Sequence, residues 1–167
     1  MGDPVSPEWR DWLLDRGSLT KRLIDASDNQ LTVQVLSQRT EMARPSEILA
    51  LSLPPRQRAL VREVLLLANG EPWVYARSVI PVSSLTGELR HLRHLDNRPL
   101  GQLLFNTPGM QRSPFQIARL RTSDLPLHAT SQLSLDKESP ILWGRRSRFV
   151  IYNKPLLVTE VFLPTFK

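Results

Sequence analysis

The stretch that decides the fold is Leu60-Val-Arg-Glu-Val-Leu-Leu-Leu-Ala-Asn-Gly-Glu-Pro-Trp-Val-Tyr-Ala-Arg-Ser-Val-Ile-Pro81. Its two halves, residues 60–68 and 72–81, are apolar and rich in Val, Leu, Trp and Tyr, residue types that favour strands. Between them lies Asn69-Gly70, a pair typical of the two-residue turns that join antiparallel strands. The pattern therefore predicts a β-hairpin in the middle of the chain.

Further strand patterns lie on both sides of this hairpin. Upstream, Leu31-Thr-Val-Gln-Val35 alternates apolar and polar residues, which is the period of a strand. Downstream, residues 115–121 are a candidate strand. The chain closes on a second predicted hairpin, with strands over 142–152 and 155–163 and a turn at Asn153-Lys154. Adjacent hairpins of this kind favour an antiparallel sheet.

Helical patterns cluster at the start and in the middle of the chain. Ser6 and Ser18 have the chemistry of N-caps, because a serine hydroxyl accepts a free N–H group of the first turn. In chain order the predicted helices begin at Ser6, Ser18, Ser83 and Pro99, and residues 122–140 resemble a long loop. We therefore expect an α+β fold with one antiparallel β-sheet and helices, and 167 residues suit a single domain over 1–167.

The composition excludes several kinds of site. The chain has no cysteine, and its 7 glycines form no phosphate-binding loop, so we expect no cofactor. His91 and His94 are three residues apart but lack a third ligand nearby in the sequence, so we expect no metal. Apolar runs such as 64–68 are too short to span a membrane, and no signal-peptide pattern is present. We therefore expect a cytoplasmic protein.

The chain is basic, with 22 Lys and Arg against 16 Asp and Glu. Such an excess is found on nucleic-acid-binding surfaces, but here the arginines are scattered and aromatic residues do not alternate with them. A solvated basic surface is the better interpretation, so we expect no nucleic-acid partner. A third possibility is that one or two arginines bind an anion and the rest lie on the surface.

Two charged residues break the strand pattern. Because side chains alternate along a strand, Arg62 and Glu160 each fall on an otherwise apolar face. The apolar neighbours that share these faces are Leu60, Val64, Leu66, Leu156, Val158 and Phe162. A charge in such a place is costly unless it is paired or ligated.

Three interpretations of these charges are open at this point. Arg62 and Glu160 could form a buried salt bridge, or Arg62 could pair with another carboxylate. Either strand could instead lie at a wet edge, since Glu63 and Thr159 give both strands a polar residue on the other face. Alternatively, the two charges could face one apolar pocket, where the arginine would bind a carboxylate and the glutamate a hydroxyl of a small planar anion.

Several segments of the chain together resemble the chorismate lyase family of ubiquinone biosynthesis. The resemblance extends from about Glu8 to the C-terminus and is most specific in Trp-Gly-Arg-Arg-Ser-Arg and in Lys-Pro-Leu-Leu followed by Thr-Glu. The segments are Ser18-Leu-Thr-Lys-Arg22, Arg62-Glu-Val-Leu-Leu66, Gly70-Glu-Pro-Trp73, Arg77-Ser-Val-Ile-Pro-Val-Ser83, Pro99-Leu-Gly101, Leu142-Trp-Gly-Arg-Arg-Ser-Arg148 and Lys154-Pro-Leu-Leu-Val-Thr-Glu-Val-Phe-Leu-Pro164.

The resemblance implies helical flaps over a buried ligand site, and an enzyme that splits chorismate into 4-hydroxybenzoate and pyruvate. It implies that Arg62 binds the ring carboxylate together with backbone N–H groups of Leu19 and Leu100. It also implies that Glu160 meets the ring hydroxyl, either orienting the substrate or accepting a proton. The family often has methionine where Leu19 stands, a difference that matters little if the contact is a backbone N–H.

The second carboxylate of chorismate, on its enolpyruvyl group, needs a cation of its own. Arg77 and Arg145 are the candidates, and a structural role is equally open for both. We expect a monomer that acts on a small molecule. The alternative is a sensing domain of the same fold without catalysis, as in bacterial transcription regulators.

Overall fold

The computed structural model describes residues 7–130 and 141–164. The α-helices are α1 (Pro7–Leu13), α2 (Leu19–Ala26), α3 (Pro45–Leu51), α4 (Leu100–Phe105) and α5 (Leu127–Thr130). The strands are β1 (Leu31–Met42), β2 (Arg58–Ala68), β3 (Glu71–Pro81), β4 (Gln111–Arg112), β5 (Gln116–Leu120), β6 (Leu142–Ile151) and β7 (Lys154–Phe162). Three 3₁₀ segments, Val82–Ser84, Gly87–His94 and Thr122–Asp124, complete the secondary structure. The architecture is α+β, as predicted.

All the strands belong to one antiparallel sheet. Its order is β1-β2-β3-β7-β6-β4, and β5 also pairs with β6. Strands β2 and β7 therefore lie inside the sheet with a neighbour on each side. This rules out the wet-edge interpretation of Arg62 and Glu160.

Both predicted hairpins form, each through a two-residue turn with positive φ. Asn69 and Gly70 have φ of 53° and 82°, as a type I′ turn requires. In the second hairpin the turn residues are Tyr152 and Asn153, with φ of 51° and 61°. The predicted turn at Asn153-Lys154 was wrong by one residue, because Lys154 already pairs with Ile151 in the ladder.

Three other elements differ from the sequence-based expectations. Strand β1 continues to Met42, because a bulge between Val35 and Ser37 interrupts the alternation without ending the strand. Helix α3 was not predicted. The 83–95 segment forms 3₁₀ helices instead of an α-helix, although its leucines are buried as expected.

The predicted 122–140 loop contains a 3₁₀ turn and α5 in its described part, and its residues 131–140 lie outside the described residues, as does Ser6. Among the described residues, no helix is long and apolar enough to cross a membrane.

Both faces of the sheet are covered. On one face, α1 and α2 pack on β2, β3 and β7, and the Gly87–His94 segment and α4 extend the same cover. On the other face, α3 and the chain around Leu125 and Ala129 pack on the sheet. Each leucine buried in such a layer stabilises the fold by about 1.5–3 kcal/mol. The first face is the one that carries the site.

Candidate functional site

A cavity lies between the sheet and the helices α2 and α4. The space between its lining residues amounts to about 580 Å³, a volume that includes open solvent. All four residues that the sequence analysis assigned to a site line it, namely Leu19, Arg62, Leu100 and Glu160. The sequence thus predicted a set of residues that the fold brings together from four separate elements.

The strand register explains why Arg62 and Glu160 share this cavity. Arg62 pairs with Ser78 across β2 and β3, and Ser78 pairs with Val158 across β3 and β7. Glu160 lies two residues beyond Val158 and therefore points to the same face. With strands about 4.8 Å apart and about 3.3 Å between residues, the two Cα atoms are roughly 12 Å apart. This separation places the two charged groups at different ends of the cavity.

Arg62 is buried at one end of the cavity and is only partly satisfied. The residue is 3% exposed, and its Nη2 donates to the carbonyl oxygen of Arg98 at 2.9 Å. Its Nη1 is buried and has no acceptor within the described part of the chain. Burial lowers the pKa of Arg62, the charge of Asp96 opposes this effect, and the charge of Arg98 adds to it. A carboxylate ligand would supply the missing acceptor and counter-charge.

Glu160 occupies the other end, between two guanidinium groups. Its Oε1 accepts a hydrogen bond from Arg145 Nε at 3.0 Å and lies 3.8 Å from Arg112 Nη2. Among the described residues, Oε1 makes the contacts of this carboxylate with both Arg145 and Arg112, which leaves Oε2 for a ligand hydroxyl. In residues 7–130 and 141–164 no ion pair joins Glu160 to Arg62, so the salt-bridge interpretation is not what the fold shows.

Arg145, one of the two candidates for the second carboxylate, has a large structural task. It is 1% exposed, and its Nη1 donates to three backbone carbonyl oxygens at or just after the end of α1, on Trp12, Leu13 and Asp15. Its Nε holds Glu160. Arg145 therefore fixes the glutamate in place and ties α1 to the sheet.

Arg77, the other candidate, lies on the opposite face of the sheet. It donates to Glu47 at 2.8 Å and to Glu63 at 2.7 Å, and all three side chains are buried. Burial alone would lower the pKa of Arg77, but the hydrogen bonds and charges of the two glutamates raise it. Of the two roles left open for Arg77, the structural one agrees with this position, and Glu63, which suggested a wet face, belongs to the same buried cluster.

Arg112 is a cavity residue that the sequence analysis missed. It forms half of the two-residue strand β4, and its Nε donates to Ser147 Oγ at 3.0 Å. Burial lowers its pKa to about 10, although nearby Glu160 acts in the other direction. A strand of two residues has no readable period, so only its pairing with Phe149 in β6 places Arg112 at the cavity.

Two helix starts form part of the cavity roof. Leu19 is the first residue of α2, after Ser18 whose Oγ accepts the N–H of Lys21 at 3.2 Å, and Leu100 is the first residue of α4. N–H groups of a first turn have no acceptor inside their helix and favour an anion. Gly101 lets the two helices approach closely, since a Cβ there would lie 2.8 Å from Thr20 Oγ1.

No group of three His, Asp or Glu side chains suitable for a metal ion occurs within the described ranges. His91 and His94 are exposed on the Gly87–His94 segment. The chemistry that the cavity offers is thus that of arginine, glutamate, backbone N–H groups and an apolar wall.

Comparison with known proteins matches the sequence of the chain to a family. Residues 3–167 match the family model described as chorismate lyase. A probable chorismate pyruvate-lyase of Pseudomonas aeruginosa strain UCBPP-PA14 is 40% identical over 161 residues, 96% of this chain and 86% of that protein. Another from Methylococcus capsulatus is 41% identical over 153 residues, 92% of this chain and 93% of that protein.

Solved structures show the same fold at low identity. The ligand-binding domain of a putative GntR-family regulator from Bordetella bronchiseptica gives a TM-score of 0.60 at 16% identity, covering 82% of this chain and 91% of that one. The C-terminal domain of the histidine utilization repressor from Pseudomonas syringae gives 0.60 at 14%, covering 82% and 94%. The match over nearly the whole sequence identifies the chain as a member of the chorismate lyase family.

Proposed function

We propose that this chain is a chorismate pyruvate-lyase, which converts chorismate into 4-hydroxybenzoate and pyruvate. The observation that carries this proposal is the placement of Arg62 and Glu160 at opposite ends of one apolar cavity. A carboxylate and a hydroxyl stand at opposite ends of the ring in both chorismate and 4-hydroxybenzoate. The names of the relatives support the same activity. 4-Hydroxybenzoate is the precursor of the ubiquinone ring, so we assign the chain to that pathway.

The ring carboxylate binds at Arg62. The half-satisfied guanidinium gains an acceptor for Nη1, and a charge-assisted hydrogen bond in a buried site is stronger than one between neutral groups. The N–H groups of Leu19 and Leu100 complete the carboxylate pocket. Val64, Leu66 and Val158 on the sheet face contact the ring, so its burial adds a hydrophobic contribution.

Glu160 acts at the far end of the ring. The ring hydroxyl donates to Oε2, while Oε1 remains bound to Arg145. The enolpyruvyl ether leaves from one ring carbon, and the neighbouring carbon that carries the hydroxyl loses its proton. Glu160 stands beside that carbon and assists the proton's removal. The ring C–O bond breaks with its electron pair on oxygen, and the enolate that leaves takes up a proton on its methylene carbon and becomes pyruvate, which balances the proton lost by the ring.

The driving force for this elimination is internal to the substrate. Loss of the ether and of one proton makes the ring aromatic, and the reaction consumes no water, oxidant or reductant. The protein's contribution is to orient chorismate and to guide one proton. We accordingly propose that no metal or cofactor takes part.

Further proposals concern the domain organisation, the location, the oligomeric state and the partners of the protein. We propose that residues 1–167 act as one domain, that the protein is a cytoplasmic monomer, and that it has no nucleic-acid partner. The net charge of +6 is then that of a basic surface. Size-exclusion chromatography with light scattering tests the monomer, and a titration with mixed DNA at low salt tests the absence of binding.

The sensing-domain alternative rests on the GntR-family structures, which at 16% and 14% identity show the fold alone. The two functions differ in one respect, because a sensor binds its ligand without turning it over. The test is therefore to mix purified protein with chorismate and to follow 4-hydroxybenzoate and pyruvate in a chelator-containing buffer. We expect equimolar products. Binding of chorismate without products would favour the sensor, and activity that requires added divalent ion would overturn the metal-free mechanism.

A further inference from the structure

Chorismate carries a second carboxylate, on the enolpyruvyl group, and the cavity holds an arginine suited to it. We propose that Arg112 binds this carboxylate and thereby positions the leaving group. This inference rests on the proposed function, since it concerns the same cavity and the same substrate. It replaces Arg77, which lies on the other face of the sheet.

The chemistry of the substrate determines where its leaving group lies in the cavity. The enolpyruvyl ether is attached to the ring carbon next to the one that carries the hydroxyl. With the hydroxyl at Glu160, the leaving group lies at the same end of the cavity. Arg112 Nη2 is 3.8 Å from Glu160 Oε1, so its guanidinium reaches the volume beside the hydroxyl. Arg62, which binds the ring carboxylate, lies at the other end.

The guanidinium of Arg112 has donors to spare. Its Nε bonds to Ser147, and its Nη1 makes a long contact of 3.4 Å with the carbonyl oxygen of Arg16. Within the described chain Nη2 forms no hydrogen bond, and its contact with Glu160 is too long for one. Arg145, by contrast, already serves Glu160 through Nε and three backbone carbonyl oxygens through Nη1, and among the described residues only its buried Nη2 lacks an acceptor.

The charge of the cavity agrees with two anionic groups on the ligand. The charged side chains in its lining are three arginines and one glutamate, which leaves an excess of two positive charges. Chorismate has two carboxylates, whereas 4-hydroxybenzoate has one. Burial of Arg112 without a full counter-charge lowers its pKa to about 10, and a second carboxylate would compensate that charge.

Aromatic rings hold Arg112 in position before any ligand arrives. Its guanidinium carbon lies 4.2 Å from the ring centre of Phe115, 4.8 Å from that of Phe149 and 5.5 Å from that of Phe105. Such contacts favour the cation and restrict its side chain. A restrained arginine binds a carboxylate at a lower entropic cost than a mobile one.

The test compares two inert ligands of similar shape, 3-(carboxymethoxy)-4-hydroxybenzoate and 3-ethoxy-4-hydroxybenzoate, which differ in the second carboxylate. We expect the wild-type protein to bind the first about 10- to 100-fold more tightly, the range of one charge-assisted bond. In Arg112→Gln this advantage should disappear, and kcat/KM for chorismate should fall by a similar factor. The affinity for 4-hydroxybenzoate should stay within about threefold in the same variant, which also shows that the variant is folded.

The control is Arg146→Gln, which removes the same charge from strand β6 on the face of the sheet opposite the cavity. Arg146 bonds to Gln116 and does not line the cavity, so its loss should leave the advantage intact. Equal affinities of the two ligands for the wild-type protein would overturn the proposal, and so would an advantage that survives in Arg112→Gln. If Arg112→Gln does not fold, the wild-type comparison and Arg112→Lys, expected to retain only part of the advantage, decide the question. A wild-type protein that binds these ligands but leaves chorismate intact would instead refute the proposed function.

Discussion

Arg62 and Glu160 lie on the same face of the sheet, two strands apart, and no ion pair joins them in the described part of the chain. Each has separate partners: Arg62 bonds to a backbone carbonyl oxygen, and Glu160 bonds to Arg145. The cavity thus keeps a buried cation and a carboxylate apart. A stable fold does not require such an arrangement, but a ligand with a carboxylate and a hydroxyl at opposite ends does.

This separation predicts the behaviour of Arg62→Met. Removal of Arg62 leaves no carboxylate unpaired, because no described carboxylate depends on it. We expect thermal stability to change by a few degrees at most and the affinity for 4-hydroxybenzoate to fall by about 100-fold or more. Calorimetric titration and a thermal melt measure both. A stability loss of about 3–5 kcal/mol would contradict this account, because that is the cost of breaking a buried ion pair.

Glu160→Gln separates chemistry from binding. Glutamine keeps a side-chain carbonyl oxygen for Arg145, and its amide N–H, in place of Oε2, can donate to the oxygen of the ring hydroxyl, so the variant should fold and bind product. It cannot assist proton removal as a carboxylate does, and turnover should fall by about 100-fold or more. Glu71→Gln, an exposed position beside the first turn, is the matched control. Wild-type turnover in Glu160→Gln would leave Glu160 as a hydrogen-bond partner only.

Leu100→Pro tests the backbone donor at the start of α4. Proline is well tolerated at the first position of a helix, where its missing N–H breaks no helical bond. We expect product affinity to fall by about 10-fold, the value of one hydrogen bond to a charged group. Leu100→Ala shortens the side chain but keeps the backbone N–H, so it controls for the loss of packing. If the proline variant binds as well as the alanine variant, this N–H is not a ligand.

The opposite face of the sheet predicts a pH dependence of stability. Burial would raise the pKa of Glu47, but hydrogen bonds from Arg77 and from the backbone N–H of Arg44 outweigh it and hold that pKa below its ordinary value of 4.5. The unfolded chain therefore takes up this proton first as the pH falls. The stabilisation from Glu47 is complete above about 4.5 and is lost as the pH falls through the lower native value.

Glu47→Gln should accordingly be less stable than wild type at neutral pH, and its stability should fall less steeply below pH 4.5. Urea unfolding at a series of pH values measures both slopes, with Glu71→Gln as the control. Parallel slopes for Glu47→Gln and wild type would show that the native state does not hold Glu47 as an anion.

The sequence was sufficient for the parts of this site that lie on long strands. Alternation along β2 and β7 placed Arg62 and Glu160 on apolar faces, and Asn69-Gly70 predicted the turn that makes β2 and β3 neighbours. The alternation of side chains along a strand predicts which residues share a face, and the register of the paired strands determines which of those residues lie opposite one another. The capping chemistry of Ser18 likewise located the start of α2.

What the sequence could not show was what lies opposite each charge. Arg77, like Arg62, lies in a largely apolar strand, but it faces the other side of the sheet, where α3 brings Glu47 beside it. Helix α3 was not predicted, so its glutamate could not be anticipated. Arg112 was missed because β4 has two residues, too few for any pattern. Both facts depend on tertiary contacts between distant segments.

The most direct test of the account is the crystal structure of the protein with 4-hydroxybenzoate. We predict the product in the cavity beneath α2 and α4, with its carboxylate oxygens about 2.7–3.2 Å from donors of Arg62 and its hydroxyl at a similar distance from Glu160 Oε2. A product molecule in the reverse orientation would contradict the assigned roles. Product bound on the opposite face, beside Arg77 and Arg146, would show that the wrong cavity has been assigned.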